Sequence, residues 1–285
     1  MTCFNPDGKR VSELCESLLA SGCNVVVVDN TETSYLADHV DEPGCELIAL
    51  GDNVGIAHAQ NVGIRRAVES GADAIALFDQ DSKIDPDFLP ALIAPLEKGE
   101  AHVVSPVLLD EARGVELPAT RLGRFGLPTD VYSMDDADRA SVDIVIASGT
   151  VATKEVFSLA GLMDDRLFID HVDTEWCLRC RDKGIPITVV PTAIMRHSIG
   201  SGAIELRAAT VLLHDPTRCY YQVRNSLLLL RIEHVPLLFA LRETAAVLWN
   251  RFFLLIHVDD RPSYLKAIGA GVLDGLRGVW GKRPR

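Results

Sequence analysis

The amino-acid sequence predicts an α/β protein, a parallel sheet with helices on its faces, continued by amphipathic helices at the C-terminal end. Three observations carry this. Strand-like and helix-like apolar patterns alternate through the first eighty or so positions, the signature of parallel strands joined by crossover helices. "NVVVVDN" is an unbroken apolar run, as expected of a strand buried on both faces. Successive strand runs also end in acids or amides: Asp29, then Asp52 with Asn53, then Asp79 with Asp81. Ligands of such sheets bind at the carboxyl ends of the strands, so these polar groups mark one rim.

After Thr2 to Phe4 and the turn "NPDG", Val11, Leu14, Cys15, Leu18 and Leu19 recur at helical spacing until Gly22. "NVVVVDN" follows as a strand, a short helical segment spans Tyr35 to Val40, and "CELIAL" is the next strand. "NVGIAHAQNVGIRRAVESG" reads as a helix stopped by Gly71, and "DAIALFD" as a strand. Further on, "HVVSPVLL" and "DIVIASGT" read as strands around a Gly/Arg/Asp-rich surface excursion over 110–140. "RLFIDHVDTEWCLRCRDKG" then reads as a strand end and helix, and "IPITVVP" as a strand. From His214 the pattern turns helical and more apolar. The expected organisation is a catalytic domain over 1–210, with halves of about 1–110 and 140–210, and a helical extension over 211–285.

With 285 residues, 48% of them hydrophobic, the chain can bury a large core. A formal net charge of −12 excludes a general nucleic-acid binder, which needs a basic face to displace counterions from phosphates. A phosphorylated ligand would need local help from metal ions, helix N-termini or a few cations. The seven cysteines are an odd set scattered through apolar segments, which argues for the reducing cytoplasm rather than a disulfide framework. Cys177 and Cys180 form a C-x-x-C inside a helical pattern with no second pair, so they read as core. The polar start with its "FNPDG" turn argues against a signal peptide.

Asp79 and Asp81 stand at i and i+2, so at a strand terminus both carboxylates point the same way. Hard oxygen ligands of this kind suit Mg2+ or Mn2+ shared with substrate phosphates. An isolated D-x-D is more often a capped polar turn, and Ser82 with Asp85-Pro86-Asp87 offers capping groups nearby. In "FIDHVDTEWCLRC", Asp170 suits an N-cap and Asp173 the first turn, while Glu175 and Arg179 suit an i,i+4 surface pair. Yet Asp170, Asp173, Glu175 and Trp176 fall within seven positions, as a general base beside a sugar-stacking aromatic would. In "MRHSIGSG", His197 suits either a structural role or a metal or diphosphate contact, and the glycines would let backbone N–H groups approach an anion.

The ordered set "TCFNPD", "VVVVDN", "DNVGIAHAQNVGI", "LFDQDS", "ASGTV", "FIDHVDTEWCLR" and "RHSIGSG" resembles the inverting glycosyltransferases of the GT-A fold (family 2 type), most closely their bacterial rhamnosyltransferase branch. The resemblance covers about residues 2–225. It implies a GT-A, Rossmann-like, mixed and mainly parallel sheet with helices on both faces. It also implies that Thr2, Phe4 and Asp29 line the nucleotide base pocket, and that Asn53, Gly55 and Asn61 border the nucleotide. Asp79 would lie near the sugar of the nucleotide, Asp81 would hold Mg2+ or Mn2+, and His197 would assist at the metal or diphosphate. Gly149 would line the junction of donor and acceptor, Asp173 would be the base, and Asp170 and Trp176 would lie on the acceptor side. The implied donor is dTDP-L-rhamnose, and the implied acceptor a saccharide or lipid-linked saccharide in cell-surface polysaccharide synthesis such as O-antigen. Family members usually carry several apolar residues before the T-x-x-N-P segment, where this chain has only Met1.

Charges at Arg231, Glu233, Arg242, Glu243 and Arg251 interrupt the apolar C-terminal run too often for a spanning helix, so amphipathic helices are expected. Their apolar faces would pack on the catalytic domain or rest on the inner face of the plasma membrane, and the tail "RGVWGKRPR" is compatible with an anionic bilayer. Two other classes share the D-x-D rim. A haloacid-dehalogenase-like phosphatase would use one Asp as nucleophile and the other as acid, and a non-catalytic nucleotide-sugar binding protein would need no base at Asp173.

Overall fold

A computed structural model describes residues 1–110, 114–133, 140–197, 203–206, 209–212 and 214–283. Its first half alternates as expected: β1 (Thr2–Cys3), α1 (Gly8–Ala20), β2 (Val25–Asp29), β3 (Cys45–Ala49), α2 (Ile56–Glu69), β4 (Ala74–Ala76) and α3 (Phe88–Glu97). The Asp7 side chain caps α1 by accepting from Lys9 N–H, and Val11, Leu14, Cys15 and Leu18 form its buried stripe. β5 (Val103–Asp110) opens the second half, followed by β6 (Val115–Leu117), β7 (Ala119–Leu122), β8 (Pro128–Val131), β9 (Ala140–Val142), β10 (Val151–Thr153), α4 (Lys154–Ala160), α5 (Val172–Asp182) and β11 (Ile187–His197). A short pair, β12 (Ala203–Leu206) and β13 (Ala209–Leu212), precedes α6 (Pro216–Leu229), α7 (Leu237–His257) and α8 (Arg261–Arg277).

β3, β2 and β1 lie side by side and parallel. A single parallel bridge between Thr2 and Asp79, with Thr2 N–H donating to the Phe78 carbonyl at 3.0 Å, joins β1 to the chain leaving β4. Beyond β4 the order is β10, β5, β11, β9, with β10 and β9 antiparallel to their neighbours and β5 parallel to β11. The sheet is therefore mixed and mainly parallel. Its burial on both faces is visible in the alternation of β5 and β11. Val104, Leu108 and Val190 pack with α1 and α3 residues in one core, while Val103, Val107 and Val189 pack with α4 and α5 residues in the other. Each fully buried side chain of this size contributes roughly 1.5–3 kcal/mol.

Two elements differ from the sequence expectation. "DIVIASGT" is not a strand: Ile144 makes one bridge to Thr120, and the strand begins only at Val151. Gly149, at φ +81°, turns the chain there, with Gly149 N–H on the Leu77 carbonyl at 2.7 Å and Thr150 N–H on that of Ala147 at 2.9 Å. "RLFID" is not a strand end either. A 3-10 turn over Asp165–Leu167 leads into Phe168, Asp170 and His171, all at positive φ, which no strand accommodates. The 110–140 excursion forms the hairpins β5–β6 and β7–β8, with 111–113 and 134–139 outside the described residues.

A cavity of about 560 Å³ is lined along β2 and β4 by Met1, Thr2, Val25, Ile64, Ile75 and Phe78 among others. All seven cysteines are free. Burial pushes the thiols of Cys3, Cys15 and Cys180 up to about 12, so they act as packing groups rather than nucleophiles.

Candidate active site

Three parallel strands deliver the rim. Asp29 ends β2 opposite Cys3 of β1 and Ala49 of β3. It is buried, its Oδ1 accepts from Thr31 N–H at 3.0 Å, and its Oδ2 has no partner among the described residues. A buried carboxylate oxygen left open at a strand end suits an N–H donor on a ligand such as a pyrimidine ring. Beside it, Asn30 Nδ2 donates to Asn53 Oδ1 at 3.1 Å, and Asn30 Oδ1 accepts from Val54 N–H at 2.8 Å. Asn53 Oδ1 also accepts from Gly55 N–H at 3.1 Å, which sets the start of α2. Gly55 sits at φ +92°, and a Cβ there would lie 2.6 Å from the Phe168 carbonyl oxygen, so backbone meets backbone at this point.

The D-x-D turn stands next to β1. Gln80 pairs with Phe4 as a strand would, its Oε1 accepting from Phe4 N–H at 2.6 Å and its Nε2 donating to the Phe4 carbonyl at 3.2 Å. The Phe4 ring is thereby left exposed above the rim. Asp79 N–H donates to Ser148 Oγ at 3.1 Å, and Ser148 in turn meets Ser82 Oγ at 2.9 Å. Thr2, Asp79 and Asp81 are half-buried along this edge.

Asp173 reaches the same segment from the other side. It lies in the first turn of α5, and its carboxylate accepts from Thr174 N–H at 2.8 Å and from the backbone of Ala147. Residues 147–149 thus separate the two carboxylate positions, with Ser148 on Asp79 and Ala147 on Asp173. Crowding by protein holds the Asp173 carboxyl above the ordinary Asp value despite its partly open edge; the two backbone N–H groups and His171 offset this in part, and Asp170 adds to it. Gly149 closes the segment in a place where a Cβ would meet Pro106 Cγ at 2.7 Å, so it is fixed by packing as well as by φ. A cavity of about 10 Å³ under Asp173, lined by Leu77, Val145 and Trp176 among others, is too small for a substrate.

The loop before α5 is strained and braced. Phe168, Asp170 and His171 all have φ between 62° and 68°. Such conformations persist only where surroundings impose them. Asn225 of α6, fully buried, imposes this one. Its Nδ2 faces the carbonyls of Leu167 at 2.9 Å, Ile169 at 2.7 Å and Asp170 at 3.1 Å. Arg224 Nη2 adds a bond to the Leu167 carbonyl at 3.0 Å, and the Phe168 ring stacks on Tyr221 at 4.7 Å. Arg218, also on α6, holds the Asp170 carboxylate. Burial works against the Arg218 charge, but Asp170, with Asp215 and Asp79 farther off, leaves it held above its ordinary pKa.

Several expected roles change. Asp170 does not cap α5; His171 occupies that position, and the Asp170 carboxylate is turned to Arg218. Trp176 is 2% exposed, donates from Nε1 to the Gly161 carbonyl at 3.0 Å and packs on Phe157, so it cannot present a face to an acceptor sugar. Glu175 is no surface partner of Arg179: it is buried, bonded to both Arg179 and His234. Asn61 is buried and spent on the Met163 backbone and on Asp165, so it braces α2 against the 163–165 turn rather than bordering a nucleotide. His197 ends β11 opposite Asp110, and its side chain lies outside the described residues. The tail folds back on the chain: Trp280 lies under Arg166 and Lys282 bonds Asp52 at 2.8 Å, while Arg283 covers Tyr220 of α6. Gln80, Ser148, Arg218 and Asn225 were not singled out in the sequence, although "VRNS" within an apolar helical run was a signal of buried polar work.

Among the described residues no three His, Cys, Asp or Glu side chains converge as a metal cage. Two hard carboxylates one residue apart on an open rim do fit a Mg2+ or Mn2+ ion that takes its remaining ligands from substrate phosphate and water.

The model of the family described as "Glycosyl transferase family 2" matches residues 1–155. A dTDP-rhamnosyl transferase RfbF of Shigella flexneri is 38% identical over 279 residues, covering 98% of this chain and 94% of that protein. A low-salt glycan biosynthesis hexosyltransferase, Agl10, of Haloferax volcanii is 23% identical over 181 residues, covering 60% of this chain and 57% of that protein. Among solved structures, S. aureus TarS 1-349 in complex with UDP-GlcNAc superposes with a TM-score of 0.56 at 14% identity, over 98% of this chain and 80% of that one. GalNAc-T7 with UDP, GalNAc and Mn2+ gives 0.51 at 15% identity, over 63% of this chain and 38% of that one.

Proposed function

The chain belongs to glycosyl transferase family 2 and is a glycosyltransferase, and from that premise we propose that it is an inverting rhamnosyltransferase using dTDP-L-rhamnose. The observation that carries the donor is the 38% identity over nearly the whole chain to a dTDP-rhamnosyl transferase. The acceptor in this reading is a saccharide or lipid-linked saccharide of a cell-surface polysaccharide, met at the cytoplasmic face of the membrane.

In the proposed mechanism Asp29 receives a base N–H at its open Oδ2, while Thr2, Phe4 and Asn53 border the nucleotide. Asp79 orients the sugar end of the donor, and Asp81 is the residue that would hold a divalent cation. Such an ion, when bound, neutralises charge on the departing diphosphate. The acceptor hydroxyl attacks the anomeric carbon from the side opposite the nucleoside diphosphate as Asp173 Oδ takes its proton. The raised pKa of Asp173 favours this, since it makes the carboxylate a stronger base.

A thermal-shift screen of dTDP-L-rhamnose and other nucleotide sugars, with Mg2+ or Mn2+, tests the donor, because a ligand bound to the folded state raises the melting temperature. Stabilisation by dTDP-L-rhamnose above UDP-sugars is expected. An equal response to every nucleotide sugar, or none to dTDP-L-rhamnose, would sink the assignment.

A further inference from the structure

α7 is built against the usual rule for a surface helix. Thr244 and Arg251 point inward, Thr244 Oγ1 to the Ser226 carbonyl at 2.8 Å and Arg251 Nη1 to Cys219 Sγ at 3.3 Å. The outward side carries Leu238, Leu241, Ala245, Trp249, Phe252 and Ile256, all exposed, at spacings of three and four, with exposed Leu248 beside them. From Leu238 to Ile256 this stripe runs roughly 27 Å at helical rise. Trp249 and Phe252 are 62% and 57% exposed, and both lean on Phe253 in an aromatic cluster. α8 repeats the pattern with Leu265, Leu273 and Leu276 outward.

The charges on these outward faces have one sign: Arg242 on α7, and Arg261, Lys266 and Arg277 on α8, all exposed. The acids of the two helices lie elsewhere. Asp274 bonds the Tyr220 hydroxyl, Asp260 caps α8 through Ser263 N–H, Asp259 sits in the connecting turn, and Glu243 is a half-buried flank residue. The same bias holds more widely, with 11 Lys and Arg against 6 Asp and Glu in residues 211–285 of a chain whose net charge is −12. No described helix is long and apolar enough to cross a membrane.

We propose that the outward faces of α7 and α8 lie on the surface of an anionic phospholipid bilayer as interfacial helices. An exposed apolar stripe with Trp at its centre, cations on both helix faces and its exposed acids, Asp259 and Asp260, confined to the connecting turn matches a headgroup boundary, where apolar burial and attraction to anionic lipid add. A second copy of the chain is a poorer match. A two-fold contact through these faces would set Arg242, Arg261, Lys266 and Arg277 against their own kind. The inference deepens the membrane-side part of the reading above and is independent of which sugar is transferred.

The test is flotation of the full chain with vesicles of phosphatidylglycerol and phosphatidylethanolamine, against vesicles of phosphatidylcholine alone, with dTDP-L-rhamnose binding measured on the same preparation. Binding to the anionic vesicles is expected, with a blue shift of the emission of Trp249; Trp176 is buried and Trp280 is packed under Arg166. The W249E/F252E double variant alters two exposed positions and should lower vesicle partitioning at least tenfold while leaving the far-UV spectrum and donor binding unchanged. R242E/K266E/R277E should remove the preference for phosphatidylglycerol. No flotation of the wild type, or undiminished flotation of W249E/F252E, overturns the proposal. A dimer in light scattering that W249E/F252E splits, with no vesicle binding, overturns it in favour of a second copy. Loss of donor binding with flotation intact would count against the sugar donor alone.

Discussion

Arg218 grips Asp170 through two guanidinium nitrogens, at 3.0 to 3.2 Å, across 48 residues of sequence. The pair ties α6 to the loop that delivers Asp173. Arg218→Ala should lower turnover by tenfold or more, since small misplacements of a catalytic group cost up to about a hundredfold. The stability loss should be about 1–3 kcal/mol, because Arg218, itself 42% exposed, leaves behind an Asp170 carboxylate only 14% exposed and without its partner. Arg218→Lys keeps the charge without the fork and should recover only part of the turnover. Steady-state kinetics beside urea melts check both.

Asp173→Asn should reduce transfer by about 10²–10⁴ while donor binding stays within a few-fold. In the wild type the acid limb of kcat should fall at a pH above that of an ordinary carboxylate, because the folded-state pKa is raised by desolvation. The same shift has a sign for stability. Between the unfolded Asp value and the raised folded value the native state binds the extra proton, so this group's contribution falls as pH rises through that window. Asp173→Asn should therefore raise Tm at neutral pH, and the gain should vanish below the unfolded pKa. A full-speed Asn variant would remove the base assignment.

Gly55→Ala places a methyl 2.6 Å from the Phe168 carbonyl oxygen at a φ of +92°. The cost should be about 1–3 kcal/mol of backbone strain, with the Phe168 loop displaced. Chemical denaturation should show a lower midpoint at unchanged m-value, and turnover should fall further than stability alone explains.

Trp176→Phe tests whether that ring serves the core. Loss of the bond to the Gly161 carbonyl should cost roughly 1–3 kcal/mol. Acceptor KM should stay unchanged; a tenfold rise would restore Trp176 to the acceptor side.

The elements written in apolar rhythm were legible: α1, β2, β3, α2 and α5 follow from the spacing of their buried residues, and the acids at strand ends mark the rim. What stayed hidden depends on contacts between distant segments. Positive φ at Phe168, Asp170 and His171 has no local signature, because none of these residue types requires it. Trp176 beside three acids looks like a sugar platform until the helix is docked and its outward and inward faces are known. Asn61 is spent on residues about a hundred positions away, and Asp170 on a guanidinium supplied by α6. Only an out-of-place polar triplet, Arg224, Asn225 and Ser226, all buried in an apolar helix, hinted that α6 serves the loop.

The grip of Asn225 on the carbonyls of Leu167, Ile169 and Asp170 bears on how such enzymes diversify. A seam near residue 210 looks like a natural place for recombination, yet it separates the loop ahead of Asp173 from the side chain that shapes it. A chimera that exchanges residues 211–285 for those of a relative inherits a new mould for the loop ahead of Asp173. Turnover and, on the proposal that α7 and α8 lie on a bilayer, membrane binding would then be traded as one heritable unit, and point substitution within α6 becomes the gentler route to altered turnover.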